Sequence, residues 1–143
     1  MATVNGDNYD VAVNFDPSAD SKLAQGVWGG KVRVQVDEYT INAKASGTII
    51  NVAKLPKGAT FLTALIVHDG LGSGVTLAYG DSGDADRYLA AASAASAGSI
   101  ECRALTGAGH SVTADTILYL TTGGATTASS DKTIKVITLY SLE

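Results

Sequence analysis

Apolar and polar residues alternate strictly from Lys31 to Asp37, which is the most regular pattern in the chain. A period of two places successive side chains on opposite faces of an extended backbone, so this segment is predicted to be a β-strand. Val32, Val34 and Val36 share one face, and charged or amide side chains occupy the other. We expect the valines to face the core and the polar side chains to contact water, as in a half-solvated antiparallel sheet.

Further segments have the length and composition of short strands. They cover residues 48–53, 61–68, 75–79, 99–105, 115–121 and 133–139. Glycine-rich turns separate them at roughly ten-residue spacing, which is typical of an antiparallel sandwich or barrel. The 35 Val, Ile and Thr residues favour the same class, because branched side chains pack well on a pleated sheet. We predict an all-β sandwich of about eight strands, with hairpin loops at 70–74 and 121–130.

Residues 1–29 differ in composition, since Asn, Asp, Ser and Gly dominate and apolar residues are sparse. Four aspartates against one lysine give this stretch −3 of the total formal charge of −4. Such a segment buries too little apolar surface to offset its ordering entropy unaided. We therefore predict two parts, an extended N-terminal arm (1–29) that becomes ordered against a partner and a β-sandwich domain (30–143).

Four apolar residues of the arm are predicted to bind that partner: Val11, Val13, Phe15 and Trp28. For Trp28 two interpretations remain open. The side chain fills a gap in the core beneath the arm, or it anchors the arm in a pocket of the partner, a role in which Trp is enriched.

The segment from Gly80 to Ala92, GDSGDADRYLAAA, combines a polar turn with an alanine-rich stretch. It follows a predicted strand. Asp84 is an acceptable helix N-cap, Asp86 lies in the first turn, and alanine has the highest helix propensity. The segment is therefore predicted to form one short helix over residues 84–95.

Asp81, Asp84 and Asp86 in this segment are weak candidates for a metal site, because clustered carboxylates in a loop can bind calcium. The twelve-residue loop of an EF-hand ends in a glutamate, and the twelfth position from Asp81 is Ala92. The alternative is that these aspartates end a strand and cap a helix. We expect no metal and no cofactor.

Charge and cysteine content exclude several classes of function. The chain has no basic patch, which disfavours nucleic-acid binding through phosphate contacts. Its start lacks the basic and apolar regions of a secretory signal, and its longest apolar run, 61–67, is too short to cross a bilayer. Cys102 is expected to be a buried thiol. We expect a soluble protein made in a reducing cytoplasm, without a membrane partner.

Nothing in the sequence indicates a catalytic site. His68 and His110 are the only histidines, and no serine lies in the strand–turn–helix context of a nucleophile elbow. The glycine-rich segment 70–74 lies between two strands and lacks the following helix that phosphate-binding loops use. We expect no enzymatic activity.

Several segments together resemble small structural proteins of tailed bacteriophages. In those proteins a strand ends in Gly-Asp-Ser-Gly-Asp-x-Asp, followed by a basic, an aromatic and an aliphatic residue and then alanines, as in residues 75–92 here. Residues 50–59 with their Leu-Pro-x-Gly turn, the late strand 116–121 and the closing strand 133–137 are also similar. The resemblance covers about residues 46–140.

The resemblance implies a virion protein, specifically a capsid decoration (cement) protein with a jelly-roll fold that forms homotrimers. Its partners would then be the major capsid protein and copies of itself, and its place the outer surface of the capsid. Its function would be to stabilise the shell by bridging neighbouring capsid subunits. The alternative is a head-fibre or tail-associated module that binds the host or its glycans.

Overall fold

The computed structural model describes residues 31–142, which form eight β-strands. In chain order they are β1 (Lys31–Ile41), β2 (Ile49–Leu55), β3 (Thr60–His68), β4 (Thr76–Asp81), β5 (Asp84–Ser93), β6 (Gly98–Glu101), β7 (Thr116–Gly123) and β8 (Lys132–Leu142). The predicted arm and its four partner-binding residues lie outside the described residues. No helix within the described range is long and apolar enough to cross a membrane.

The strands form two antiparallel four-stranded sheets, ordered β1-β8-β3-β6 and β2-β7-β4-β5. This interleaved order is that of a jelly roll, so the predicted all-β sandwich of about eight strands is confirmed. Among the described strands, only β4 and β5 are both consecutive in the chain and hydrogen-bonded to each other. The predicted hairpin loops at 70–74 and 121–130 instead cross from one sheet to the other, because each joins strands of different sheets.

The core lies between the two sheets. Phe61, Tyr79 and Tyr88 form an aromatic cluster at its centre, with the Phe61 and Tyr88 ring centroids 4.3 Å apart. The hydroxyl groups of Tyr79 on β4 and Thr138 on β8 are 2.8 Å apart and share a hydrogen bond that links the sheets. Burial raises the pKa of Tyr79 well above its usual range, so this hydroxyl keeps its proton. Cys102 is buried as predicted.

The predicted helix at 84–95 is wrong, since residues 84–93 form strand β5. The two-residue Ser82–Gly83 turn places Asp84 directly opposite Asp81 and starts a hairpin. As a strand, β5 bonds to the edge of β4 and buries the side chains of Tyr88 and Leu89. Helix propensity differs by less than about 1 kcal/mol among most residues, so burial and the strand ladder outweigh the alanine-rich composition.

The predicted orientation of β1 is also wrong, although the strand exists. Its inward residues include Ile41, which is fully buried, and Gln35, whose side chain bonds to β2. The Gln35 Nε2 group donates to the Lys54 carbonyl oxygen (2.6 Å) and Gln35 Oε1 accepts from the Lys54 N–H (3.0 Å). Gln35 and Ile41 are odd-numbered positions of the strand and the three valines are even-numbered, so the valines point away from the core.

Candidate functional site

Apolar side chains cover much of the outer face of the β1-β8-β3-β6 sheet. We call the following residues the valine face: Val32, Val34 and Val36 of β1, Ile137 and Leu139 of β8, and Leu65 and Val67 of β3. Strand register makes them neighbours, because Val34 lies opposite Leu139 and Val36 lies opposite Ile137, which in turn lies opposite Leu65. The valine face is thus continuous across three strands.

The exposure of this face is highest on β1. Val32, Val34 and Val36 are 63%, 59% and 59% exposed, and Val67 is 42% exposed. Single exposed apolar residues are normal, but a contiguous apolar patch on a protein surface marks a contact with another molecule or an aggregation hazard. The valine face is therefore the strongest candidate for an interaction surface in the described part of the chain.

A charged row borders the valine face. Glu38 lies opposite Lys135 on the same side of the sheet, and their side chains form an ion pair at 3.0 Å. Both are about half exposed, so the pair contributes little to folding stability. An apolar centre with a polar rim is the usual composition of a protein–protein interface.

Strand β1 also has an unpaired edge. Within residues 31–142, β8 is the only strand that pairs with β1 in the backbone ladder, so the other side of this 11-residue strand has no ladder partner there, although the Glu38 N–H donates to the Asp37 carboxylate (2.9 Å). Proteins usually protect such an edge with charge, proline, a bulge or a covering segment. Strand β1 therefore combines an edge without a ladder partner and three exposed valine side chains.

A second, smaller apolar surface lies on the opposite sheet. Ile49 of β2 and Ile117 of β7 are 59% and 51% exposed and line a groove of about 480 Å³ together with Asn51, Asp115 and Tyr119. The sandwich therefore has exposed apolar side chains on both outer faces.

The polar turn singled out in the sequence is organised by the buried carboxylate of Asp81. Its Oδ1 atom accepts hydrogen bonds from the N–H groups of Gly83 (2.8 Å) and Asp84 (3.1 Å). Its Oδ2 atom accepts from Arg87 Nε–H (2.9 Å) and from the Tyr88 hydroxyl (2.8 Å). We refer to this arrangement as the Asp81 hub. It holds the only hairpin that joins consecutive paired strands in the described chain.

The hub changes the acidity of its members. Burial alone raises the pKa of Asp81, but the hydrogen bonds from Tyr88, Gly83 and Arg87 together outweigh burial and lower it. Burial and the bond to Asp81 raise the pKa of Tyr88. The hub is therefore an ionised carboxylate surrounded by neutral and cationic hydrogen-bond donors. Each of the two Asp81 oxygens accepts two hydrogen bonds from these donors.

The other two candidate metal ligands are outside the hub's set of side-chain acceptors. Asp84 is half-buried and Asp86 is exposed, and the Asp86 N–H donates to Asp84 Oδ1 at 3.3 Å. Hydrogen bonding to Asp84 and its negative charge raise the pKa of Asp86. The structure therefore does not bring the three aspartates together, and residues 31–142 contain no group of three or more His, Cys, Asp and Glu side chains arranged to hold a metal.

The two histidines are not part of a catalytic relay in the described residues. His110 and Ser111 line a shallow depression of about 310 Å³ next to Asp81. The Ser111 hydroxyl instead shares a hydrogen bond with Thr60 (2.7 Å), and the Asp81 oxygens are engaged in the hub. His68 is buried, with Nδ1 at 2.8 Å from the Asp69 carbonyl oxygen.

No family model matches the chain, and no curated protein matches it. Solved structures do. A chain in the capsid asymmetric unit of cyanophage Pam1 is 24% identical with a TM-score of 0.72, and the match covers 100% of both chains. A chain in the capsid of Ralstonia phage GP4 is 21% identical (TM-score 0.61, covering 95% of this chain and 96% of that one).

A third similar chain is in the acidic stable capsid structure of Helicobacter pylori bacteriophage KHP30. It is 16% identical with a TM-score of 0.59, and the match covers 78% of this chain and 87% of that chain. All three share this fold. The resemblance to phage structural proteins seen in the sequence is therefore confirmed at the level of the fold.

Sequence reasoning missed the valine face as a surface. The signal was present, because the strict alternation in 31–37 defines two faces, one of them entirely valine. It was assigned to the core. Strand β1 is an edge strand, and its neighbours, rather than its own residues, decide which face is covered.

Proposed function

We propose that this protein is a non-enzymatic structural protein of a phage capsid. It decorates the outer surface of the shell and bridges neighbouring major capsid protein subunits. In this proposal it acts as a homotrimer, and the apolar residues of its arm (Val11, Val13, Phe15 and Trp28) contribute contacts to neighbouring subunits. It needs no metal or cofactor and binds neither nucleic acid nor membrane.

The valine face is the observation that carries this proposal. Its exposed branched side chains offer contact area to a partner at little entropic cost, because Val has a single side-chain torsion that is already restricted. The second apolar surface around Ile49 and Ile117 gives the sandwich a contact on its other side. Two surfaces on opposite faces suit a bridge between two subunits.

The fold supports the same proposal. Three proteins of similar fold are chains in phage capsid structures, and two of the matches extend over nearly the full length of both chains. In a symmetrical shell, every copy of a bridging protein repeats the same contacts, so a modest energy at each site accumulates over the particle. A rigid sandwich with a closed core can carry such contacts without rearranging.

The experiment uses particles that lack this protein. Purified protein is added back, and particle survival is measured after heating or osmotic shock. We expect the wild-type chain to bind the particles and restore their stability. Binding to host cells or surface polysaccharide without any effect on the particles would overturn the proposal in favour of a host-binding module.

Val34→Asp tests the role of the valine face in this binding. An unpaired carboxylate buried in an interface costs about 3 kcal/mol or more, so affinity for the particle should fall at least about a hundredfold. Leu105→Asp is the matched control, since Leu105 is 92% exposed and lies outside the valine face. Equal binding by the two variants would exclude the valine face from the contact.

A further inference from the structure

We infer that two copies of this chain pair antiparallel along their β1 edges and join their sheets into one continuous sheet. The inference goes beyond the proposed function, which assigns no surface to the contact between copies. The first support is the edge itself. Strand β1 has 11 residues and no ladder partner on the side away from β8 within residues 31–142, so it can accept a further strand there.

The opposite sheet leaves the first part of β1 largely uncovered. The three β1 valines are exposed on the outer face, and Lys31, Arg33 and Asp37 are exposed on the inward-facing side of the strand. Gln35, which is half-buried, bonds to β2 through both atoms of its amide group. Residues 31–37 are therefore accessible from both faces, so a second strand can approach this edge without displacing the sheet beneath it.

The valines of β1 are complementary to themselves in one antiparallel alignment. In this alignment Val34 lies opposite Val34 of the second copy, and Val32 lies opposite Val36 of the second copy. Every β1 valine thus faces another valine. Directly opposed residues of paired strands share a face, so the valine face continues from one copy into the next.

The charges on the other face favour the same alignment. It places Lys31 of each copy opposite Asp37 of the other copy, so the pair occurs twice. Neither side chain has an ion pair within residues 31–142, although the Asp37 carboxylate accepts a hydrogen bond from the Glu38 N–H. Opposite charges directly across a ladder stabilise it by about 0.2–1 kcal/mol, and like charges destabilise it. Because these side chains are exposed, they select the alignment more than they add affinity.

The neighbouring alignments fit less well. An offset of two residues in one direction places Arg33 opposite Arg33 of the second copy, which opposes like charges. The same offset in the other direction places Glu38, which already pairs with Lys135, opposite Val32. An offset of one residue turns the valines of the two copies to opposite sides of the sheet.

The symmetry of this contact determines what it can build. A pairing of two identical edges is two-fold and closed, so it cannot by itself form a homotrimer. In a trimeric assembly it would link a subunit of one trimer to a subunit of the next. The valine faces of the two copies would then form one surface, and the covered edges would no longer invite aggregation.

Disulfide trapping in the free full-length protein tests the inference, with no particle present. Val34→Cys is compared with Val36→Cys, because both valines are 59% exposed on the same face of β1. In the inferred alignment the two copies of position 34 have Cα atoms about 4.5–5.5 Å apart, which a disulfide can bridge. The two copies of position 36 are more than about 13 Å apart, which it cannot. On mild oxidation we expect Val34→Cys to form a linked dimer at least about tenfold faster, measured by non-reducing electrophoresis.

Charge reversal in the Val34→Cys background tests the alignment separately. Asp37→Lys places like charges opposite each other at both ends of the pairing and should slow trapping at least about threefold. Adding Lys31→Asp restores opposite charges in exchanged order and should restore the rate. The wild-type chain, whose one cysteine, Cys102, is buried, gives the background rate.

Three outcomes would overturn the inference: no linked dimer from Val34→Cys, equal rates for the two cysteine variants, or trapping that the charge reversals leave unchanged. Cysteine replaces an exposed side chain in both variants, so both should fold like the wild type, and thermal unfolding checks this. Because the measurement involves no capsid, its result is independent of whether the protein decorates particles.

Discussion

Replacing Asp81 by asparagine removes one negative charge from the centre of the Asp81 hub while preserving its shape. The amide oxygen can still accept from the N–H groups of Gly83 and Asp84. The amide nitrogen takes the place of Oδ2 and faces the Arg87 Nε–H, so two donors oppose each other and the ion pair is lost. The Tyr88 hydroxyl also loses its anionic acceptor.

The expected loss of unfolding free energy is about 3 kcal/mol. A hydrogen bond to a charged group contributes about 1.5–3 kcal/mol, and two such bonds are weakened here. The loss of a fully buried ion pair costs about 3–5 kcal/mol, but the Arg87 side chain is 21% exposed and can be partly hydrated. The estimate therefore lies at the lower end of that range.

Urea denaturation at pH 7 measures the effect, with an unchanged slope as evidence that only stability has altered. Asp86→Asn is the matched control, because it makes the same chemical change in the same hairpin, at an exposed aspartate whose side chain is not part of the hub. It should alter stability by no more than about 0.5 kcal/mol, the usual limit for surface substitutions. A Tyr88→Phe variant and the double variant give the coupling between the two hub residues.

The difference between wild type and Asp81→Asn should depend on pH. The folded protein lowers the pKa of Asp81, so the carboxylate contributes fully to stability above its unfolded pKa of about 3.9. This contribution is lost as the pH falls through the lowered folded value, and the two stability curves should converge there. The reasoning is refuted if the two asparagine variants are equally stable at pH 7.

Three further predictions concern the core and the turns. Val34→Ala should change the free energy of unfolding by less than about 0.5 kcal/mol, because Val34 is exposed. Val136→Ala, on the buried face of the neighbouring strand β8, should lower it by about 2 kcal/mol. Thermal unfolding compares the two variants, and equal effects would contradict the orientation of β1. Gly80→Ala should lower the free energy of unfolding by more than about 2 kcal/mol, because the added Cβ would overlap the backbone of β5. Gly98→Ala is the control and should be tolerated, because the space around Gly98 is open. The denaturant midpoints of the two variants measure the difference. Burial raises the pKa of the Cys102 thiol to about 12, so the reactive thiolate is scarce at pH 8 in the folded protein. A thiol reagent at this pH should therefore label Cys102 only as fast as the protein unfolds. Rapid labelling of the native protein would contradict this prediction.

The positions of most strands were predictable because they depend on local composition. The segments predicted at 48–53, 61–68 and 115–121 coincide with β2, β3 and β7 within a few residues. Turn residues end each of them, and branched side chains favour the extended backbone between turns. Cys102 was likewise correctly assigned to the core, because an isolated cysteine in an alternating apolar run is usually buried.

The candidate site was predictable only in part. The sequence directed attention to Asp81 and its neighbours, but it did not show that the Asp81 carboxylate turns inward to Arg87 and Tyr88. Those bonds form only because β5 folds back on β4. The three aspartates are close in sequence, but the hydrogen bonds of the hub bury Asp81 while Asp84 is half-buried and Asp86 is exposed.

The sequence by itself determined that this protein is an all-β fold of short strands, since alternation and turn spacing are properties of the chain alone. Only the tertiary structure decided that residues 84–93 extend as β5, because a buried tyrosine and a hydrogen-bonded edge outweigh the small helix preference of alanine. It also decided that the β1 valines point outward. A period of two separates the faces of a strand without stating which one is covered, and for an edge strand the position of the opposite sheet determines that choice.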